Sequence, residues 1–110
     1  MDQKFKVRHH EVFKAWVKEL GYSRNTQLHT VVTERLRSVR EGKLGKHKSV
    51  GGRVSELIID FGPGYRIYYT KRGREIILLL CAGDKSEQKK DIKLARTLVK
   101  EVQSEKEKYR

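Results

Sequence analysis

Gly62-Pro63-Gly64-Tyr65-Arg66-Ile67-Tyr68-Tyr69-Thr70, then Lys71 to Arg74, then Ile76-Ile77-Leu78-Leu79-Leu80: this stretch decides the fold. Gly62-Pro63-Gly64 is a turn through which no strand continues. From Tyr65 to Thr70 the residues alternate, with Tyr65, Ile67 and Tyr69 on one face and Arg66, Tyr68 and Thr70 on the other. Gly73 marks the next hairpin. Ile76 to Leu80 is apolar on both faces, as in a central strand covered from both sides. Upstream, Val54 to Phe61 is rich in β-formers and supplies the first strand of a three-strand meander.

Further out the period changes to that of helices. Phe13, Trp16, Val17 and Leu20 recur at i, i+3, i+4 and i+7, an apolar stripe that stops at Gly21. A second helix with Ser23 or Asn25 as its N-cap carries Leu28, Val32, Leu36 and Val39 and ends before Gly42. The pair reads as an αα-hairpin. Phe5 to Arg8 is a candidate first strand. After a loop at Ala82 to Lys85, Ser86 is the candidate N-cap of a last helix with the stripe Ile92, Ala95, Leu98, Val99 and Val102. The tail from about residue 104 is nearly all charge and is expected to fray. These elements predict one α+β domain over residues 1–110. An N-terminal helical hairpin and a C-terminal helix pack on a small antiparallel sheet, three meander strands with a fourth from the N-terminus. Periodicity does not set the strand order.

A chain of 110 residues has room for one modest core. Lys and Arg number 26 against 14 Asp and Glu, a net charge of +12, which favours a polyanion such as nucleic acid or an acidic partner. Gly42 to Arg53 concentrates this charge: Lys43, Lys46, Lys48 and Arg53 alternate with glycines and His47, and the segment reads as an exposed basic loop. The single Cys81 permits no internal disulfide, and with four scattered His it offers no zinc spacing. The Met1-Asp2-Gln3-Lys4 start has no apolar signal region. The run Ile76 to Ala82 falls far short of the ~20 residues that span a bilayer. The expectation is a soluble cytoplasmic protein with no cofactor, no metal and no membrane partner.

Four blocks together resemble the RelE/HigB family, specifically the phage-derived addiction module killer branch of type II toxin–antitoxin systems. They are Gly51-Gly52-Arg53-Val54-Ser55-Glu56-Leu57, Gly62-Pro63-Gly64-Tyr65-Arg66-Ile67-Tyr68-Tyr69, Leu78-Leu79-Leu80-Cys81-Ala82-Gly83-Asp84-Lys85 and Gln88-Lys89-Lys90-Asp91-Ile92. The resemblance covers about residues 5–102. It implies the helical-hairpin-plus-sheet fold and a toxin that inhibits translation. That toxin is a ribosome-dependent, metal-independent mRNA endoribonuclease (an mRNA interferase, a hydrolase of RNA). It implies as partners the ribosome, mRNA and a cognate antitoxin of the helix-turn-helix, HigA-like kind, with operator DNA reached only through the antitoxin complex. The chain departs from the branch at Ile58, where arginine is usual, and at Ala82, where glycine is usual.

Attack of a ribose 2′-OH on the adjacent phosphate needs a base, an acid and cations at the pentavalent phosphorus. Arg66, matching the arginine of the family's GYR block, is the first candidate for the transition-state cation, set against a surface arginine paired to a carboxylate. Lys85 is the second, as acid or phosphate contact beside a helix N-terminus. Candidate RNA contacts are Lys43, Lys46, His47, Lys48 and Arg53 of the basic loop, Tyr68 as a stacking platform, and Gln88. Tyr68 can equally lie under a helix, and Gln88 and Asp91 can equally belong to a helix cap. Asp84 reads as a cap rather than a base. Cys81 and Trp16 read as core. Two other classes share these features: a ParE-like inhibitor of DNA gyrase, and a non-catalytic basic RNA- or ribosome-binding module.

Overall fold

The computed structural model describes residues 3–22 and 25–103. In chain order they form β1 (Lys6–His9), α1 (Glu11–Tyr22), α2 (Thr26–Arg40), β2 (His47–Gly51), β3 (Val54–Ile59), β4 (Tyr65–Arg72), β5 (Ile76–Asp84), a 3-10 turn (Lys85–Glu87) and α3 (Gln88–Gln103). The fold is α+β, a five-stranded mixed sheet in the order β1-β5-β4-β3-β2 carrying three helices.

Two expectations about the sheet need correction. It is not wholly antiparallel: β1 takes the free edge of β5 in parallel, with Lys6 opposite Ile76 and His9 opposite Leu79. Parallel neighbours need a long connection, and here the whole intervening chain supplies it. The basic segment is not all loop either. His47–Gly51 pairs antiparallel with β3 and forms the opposite edge. Arg35 of α2 creates this strand's lead-in: its Nε donates to the Leu44 carbonyl at 3.0 Å, Nη1 to Ile58 at 2.8 Å and Nη2 to Lys46 at 2.6 Å.

The alternation of β4 divides two cores. Ile67 and Tyr69 join Leu57, Ile59, Ile77 and Leu79 beneath α1 and α2, which contribute Phe13, Leu20, Leu28, Val32, Leu36 and Val39. Tyr68 joins Val54, Leu78, Leu80 and Cys81 beneath Ala95, Leu98, Val99 and Val102 of α3. Strand β5 therefore needs apolar side chains on both faces. Tyr68 lies opposite Cys81 but Tyr69 opposite Leu79, so Leu80 is an extra residue, a β-bulge. Its effect is a change of phase: Leu80 and Cys81 both face α3, Ala82 packs on the other core, and Gly83 returns to the α3 side.

Helix boundaries differ from the sequence reading by small amounts with clear causes. Asn25 is the N-cap of α2, its side chain accepting from Leu28 N at 3.3 Å, whereas Ser23 lies outside the described residues, as does the charged tail. Ser86 is not the cap after β5. Asp84 is, accepting from Ser86 N at 2.9 Å, so the chain makes one 3-10 turn before α3 begins. Trp16 is half-buried against Phe13, ring centroids 5.9 Å apart, and Cys81 is buried. Among the described residues no helix is long and apolar enough to cross a membrane.

Candidate functional site

α3 covers the sheet only in part. It lies over Tyr68, Leu78 and Leu80, while Arg66, near the start of β4, lines a surface concavity. There the turn Phe61–Gly64 folds back towards the end of β5, and Gly64, at φ +90°, is in a conformation that glycine alone adopts without strain. The Gly64 carbonyl accepts from Lys85 N at 2.9 Å. An added Cβ on Gly64 would lie 3.7 Å from Lys85 Cβ and 3.8 Å from Arg66 Nη1. Arg66 and Lys85, 19 positions apart, thus line one concavity of about 320 Å³ together with Asp60 and Pro63.

The base of Arg66 is built from groups that sequence inspection does not single out. Its side chain is only 12% exposed and its Nε lies 3.8 Å from Glu56 Oε1, within ion-pair reach but too long for a hydrogen bond. Arg66 Nη1 donates to the Tyr65 carbonyl at 3.0 Å. Glu56 is 1% exposed, and Gln88 Nε2 donates to its carboxylate at 3.1 Å. Gln88, half-buried at the start of α3, thus ties that helix to Glu56. Glu56, Ile58, Arg66, Tyr68 and Gly83 share one face of the sheet, and Ile58 stands directly opposite Arg66. An apolar, buried side chain thus occupies the cross-strand position where an arginine is usual in the branch the chain resembles.

Tyr68 cannot stack on a base: it is 0% exposed, with its ring under α3. Its hydroxyl has no hydrogen-bond partner among the described residues, and burial, with Glu56 and Asp91 nearby, pushes its ionisation above the usual tyrosine range. Asp91 fills the space beneath Gly83, with Oδ2 buried and unpartnered, so it is no cap either. Burial first, then Glu87 and Asp84, raise its carboxyl above the usual range against the opposing pull of Lys90. Burial and Asp91 push the Cys81 thiol up to about 12, which leaves it protonated and unreactive. Asp84 is lowered by the hydrogen bonds of Ser86, as a capping carboxylate is.

The basic segment is divided. Lys46 and His47 sit at the Arg66 end of the sheet: Lys46 Nζ is 3.2 Å from Asp60 Oδ2 on the rim of the concavity, and its carbonyl accepts from Ile58 N. His47 is exposed, with Nδ1 2.8 Å from the Gly45 carbonyl. Lys48, paired with Glu56, is on the face that carries Arg66, and Lys43 is exposed just after α2. Arg53 is elsewhere, at the β2–β3 turn at the opposite end of the strands. Among the described residues no group of three or more His, Cys, Asp or Glu converges to hold a metal ion.

At 38% identity over 90 residues the chain is similar to an uncharacterized protein of Haemophilus influenzae; the match covers 82% of this chain and 88% of that one. The two proteins belong to one family. No protein-family model matches the chain, and no solved structure matches it. The family shared with the Haemophilus protein therefore supplies relatedness over most of the chain, and the chemistry has to be argued from the site.

Glu56 and Arg35 are the site-building residues that sequence reasoning missed. A carboxylate alternating within a strand reads as solvent-facing, and Arg35 sits beside the apolar position Leu36 with no signal of its own. The one available clue to Glu56 is its place in the Ser55-Glu56-Leu57 block, directly ahead of Ile58.

Proposed function

We propose that the protein has a RelE-like fold and is the toxin of a type II toxin–antitoxin module, an endoribonuclease that cuts mRNA in the ribosomal A site without a metal. The observation that carries this reading is the meeting of Arg66 and Lys85 around Gly64 in one concavity. In the reaction the 2′-hydroxyl gives its proton to solvent and its oxygen bonds to phosphorus, while the bond from phosphorus to the 5′-oxygen breaks, leaving a 2′,3′-cyclic phosphate and, once that oxygen is protonated, a 5′-hydroxyl. Arg66, steadied by Glu56, supplies charge-assisted hydrogen bonds to the developing phosphorane. Lys85 contacts the phosphate or protonates the leaving oxygen. Lys43, Lys46, His47 and Lys48 dock on ribosomal RNA, and substrate positioning is left largely to the ribosome. A HigA-like antitoxin covers this face in the resting cytoplasm and provides whatever contact the complex makes with operator DNA.

The test is cleavage mapping in a reconstituted translation reaction, with and without ribosomes, by primer extension. Cuts at fixed codon positions that appear only with ribosomes support the nuclease. Arg66→Lys keeps a cation over Glu56 but loses the planar fork, so its cleavage should fall about 100-fold while the fold survives. Ile58 opposite Arg66 favours one rival, a ParE-like gyrase inhibitor, because it removes a cation from the site. Intact mRNA with arrested growth, and supercoiling blocked in a gyrase assay, would decide for that rival.

A further inference from the structure

At the opposite end of the sheet from Arg66, a groove of about 480 Å³ runs between the β4–β5 hairpin and the last turns of α3. Arg53 and Arg72 line it together with Ile76 and with the edges of the buried Val99 and Val102. A second groove shares Arg53 and Val99 and extends past Arg96 and Lys100. In a chain with 14 acidic residues, neither groove has an Asp or Glu among its lining residues.

Among the described residues these cations have no carboxylate within ion-pair distance, whereas Arg66 faces Glu56 and Lys46 faces Asp60. Arg72 Nη1 is buried and has no hydrogen-bond partner among the described residues. Arg96 is already used, donating to the Val50 carbonyl. Arg53 is the only non-glycine among the described residues with a positive φ, +63°, following Gly51 at +82° and Gly52 at +63°. Glycine suits that conformation and arginine does not, so the chain keeps a cation there against its backbone preference. Strain of this kind, held at a groove lip, is a reason to look for a ligand.

We propose that this groove is a second phosphate-binding site, in which Arg53, Arg72 and Lys100 hold the backbone of a single-stranded RNA. Arginine forks pair with phosphate oxygens bidentately, and no Asp or Glu stands among the described residues that line the groove. The choice of RNA rests on the proposed function, supported by a net charge of +12, larger than one short acidic segment requires. The site is separate from the Arg66 concavity, so one chain engages two stretches of RNA backbone.

The test is fluorescence anisotropy of the full chain with a labelled single-stranded RNA of about 12 nucleotides, without ribosomes, titrated between about 50 and 200 mM salt. Arg53→Gly relieves the backbone while deleting the charge, so it should melt no lower than the parent. It should also lower the slope of log affinity against log salt by about 0.7, one lost phosphate contact. Lys100→Glu should weaken binding more than Lys14→Glu, the same charge change on exposed α1 on the other face of the sheet. An unchanged slope in Arg53→Gly, or equal losses in the two lysine variants, overturns the site. A polyglutamate peptide of equal charge that displaces the RNA and loses its own affinity in Arg53→Gly overturns the choice of RNA. Cleavage plays no part in this readout, so failure of the nuclease reading and failure of the groove are distinguishable.

Discussion

Gly83→Ala is a direct probe of how the sheet meets α3. Gly83 does not have a positive φ, so alanine meets no backbone objection there. The obstacle is steric: an added Cβ overlaps Asp91 Oδ2 and lies 3.2 Å from Asp91 Cγ. The Asp91 side chain is short and buried on the first turns of α3, so relief requires a rotamer change or a shift of the helix. Overpacking of this severity costs about 3 kcal/mol, the upper end of its usual range. Alanine in place of glycine returns up to about 1 kcal/mol by restricting the unfolded chain. The net loss of about 2 kcal/mol corresponds to a melting temperature lower by about 8 °C in a domain of this length. Thermal unfolding by circular dichroism measures it. Asp91→Ala in the Gly83→Ala background removes the colliding oxygen and should recover most of the loss, a coupling read from the double-mutant cycle. A Gly83→Ala protein that melts with the parent, or a double variant without recovery, refutes the packing argument.

Three further outcomes follow from the polar groups around Arg66. Asp91 has a raised folded pKa, so the folded state holds its proton where the unfolded state has lost it, and stability falls as pH rises from about 3.8 through the raised value. Asp91→Asn should therefore raise the melting temperature near pH 7 and change it little at about pH 3, where both states are protonated. Tyr68→Phe deletes a buried hydroxyl without a partner, so it should leave stability equal or up to about 1 kcal/mol higher, with RNA binding unchanged in the anisotropy assay. Glu56→Ala strands Arg66 and Gln88 and should cost about 3 kcal/mol in urea unfolding, more than any single exposed charge on the sheet edge.

The parts of this fold legible in the sequence are those where burial imposes a period. The alternation of Tyr65 to Thr70 assigned each residue to its observed face, and Ile76 to Leu80, apolar on both sides, lies between two helical layers. His47–Gly51 has no such period because it is an exposed edge whose order comes from pairing with β3 and from Arg35, far away in the chain. The direction of β1 is equally invisible, since four residues carry no record of a partner 70 positions later. For the site, the face of Tyr68 was readable but not its cover: α3 lies over Tyr68, a tertiary fact. The convergence of Arg66 with Lys85 depends on the turn at Gly64, and the split of Arg53 from Lys46 depends on which end of a strand each residue occupies.

The parallel pairing of β1 with β5 also orders events in time. Strands β3, β4 and β5 are joined by short turns and can zip together locally, whereas Lys6 must wait for Ile76. Closing so long a loop is entropically costly, and contacts of such separation slow folding. Among the described elements β1 is made first, and it has to wait unpaired until β5 is made. Until the two strands meet, the far edge of β5 stands open to another strand, an exposure that favours misassociation.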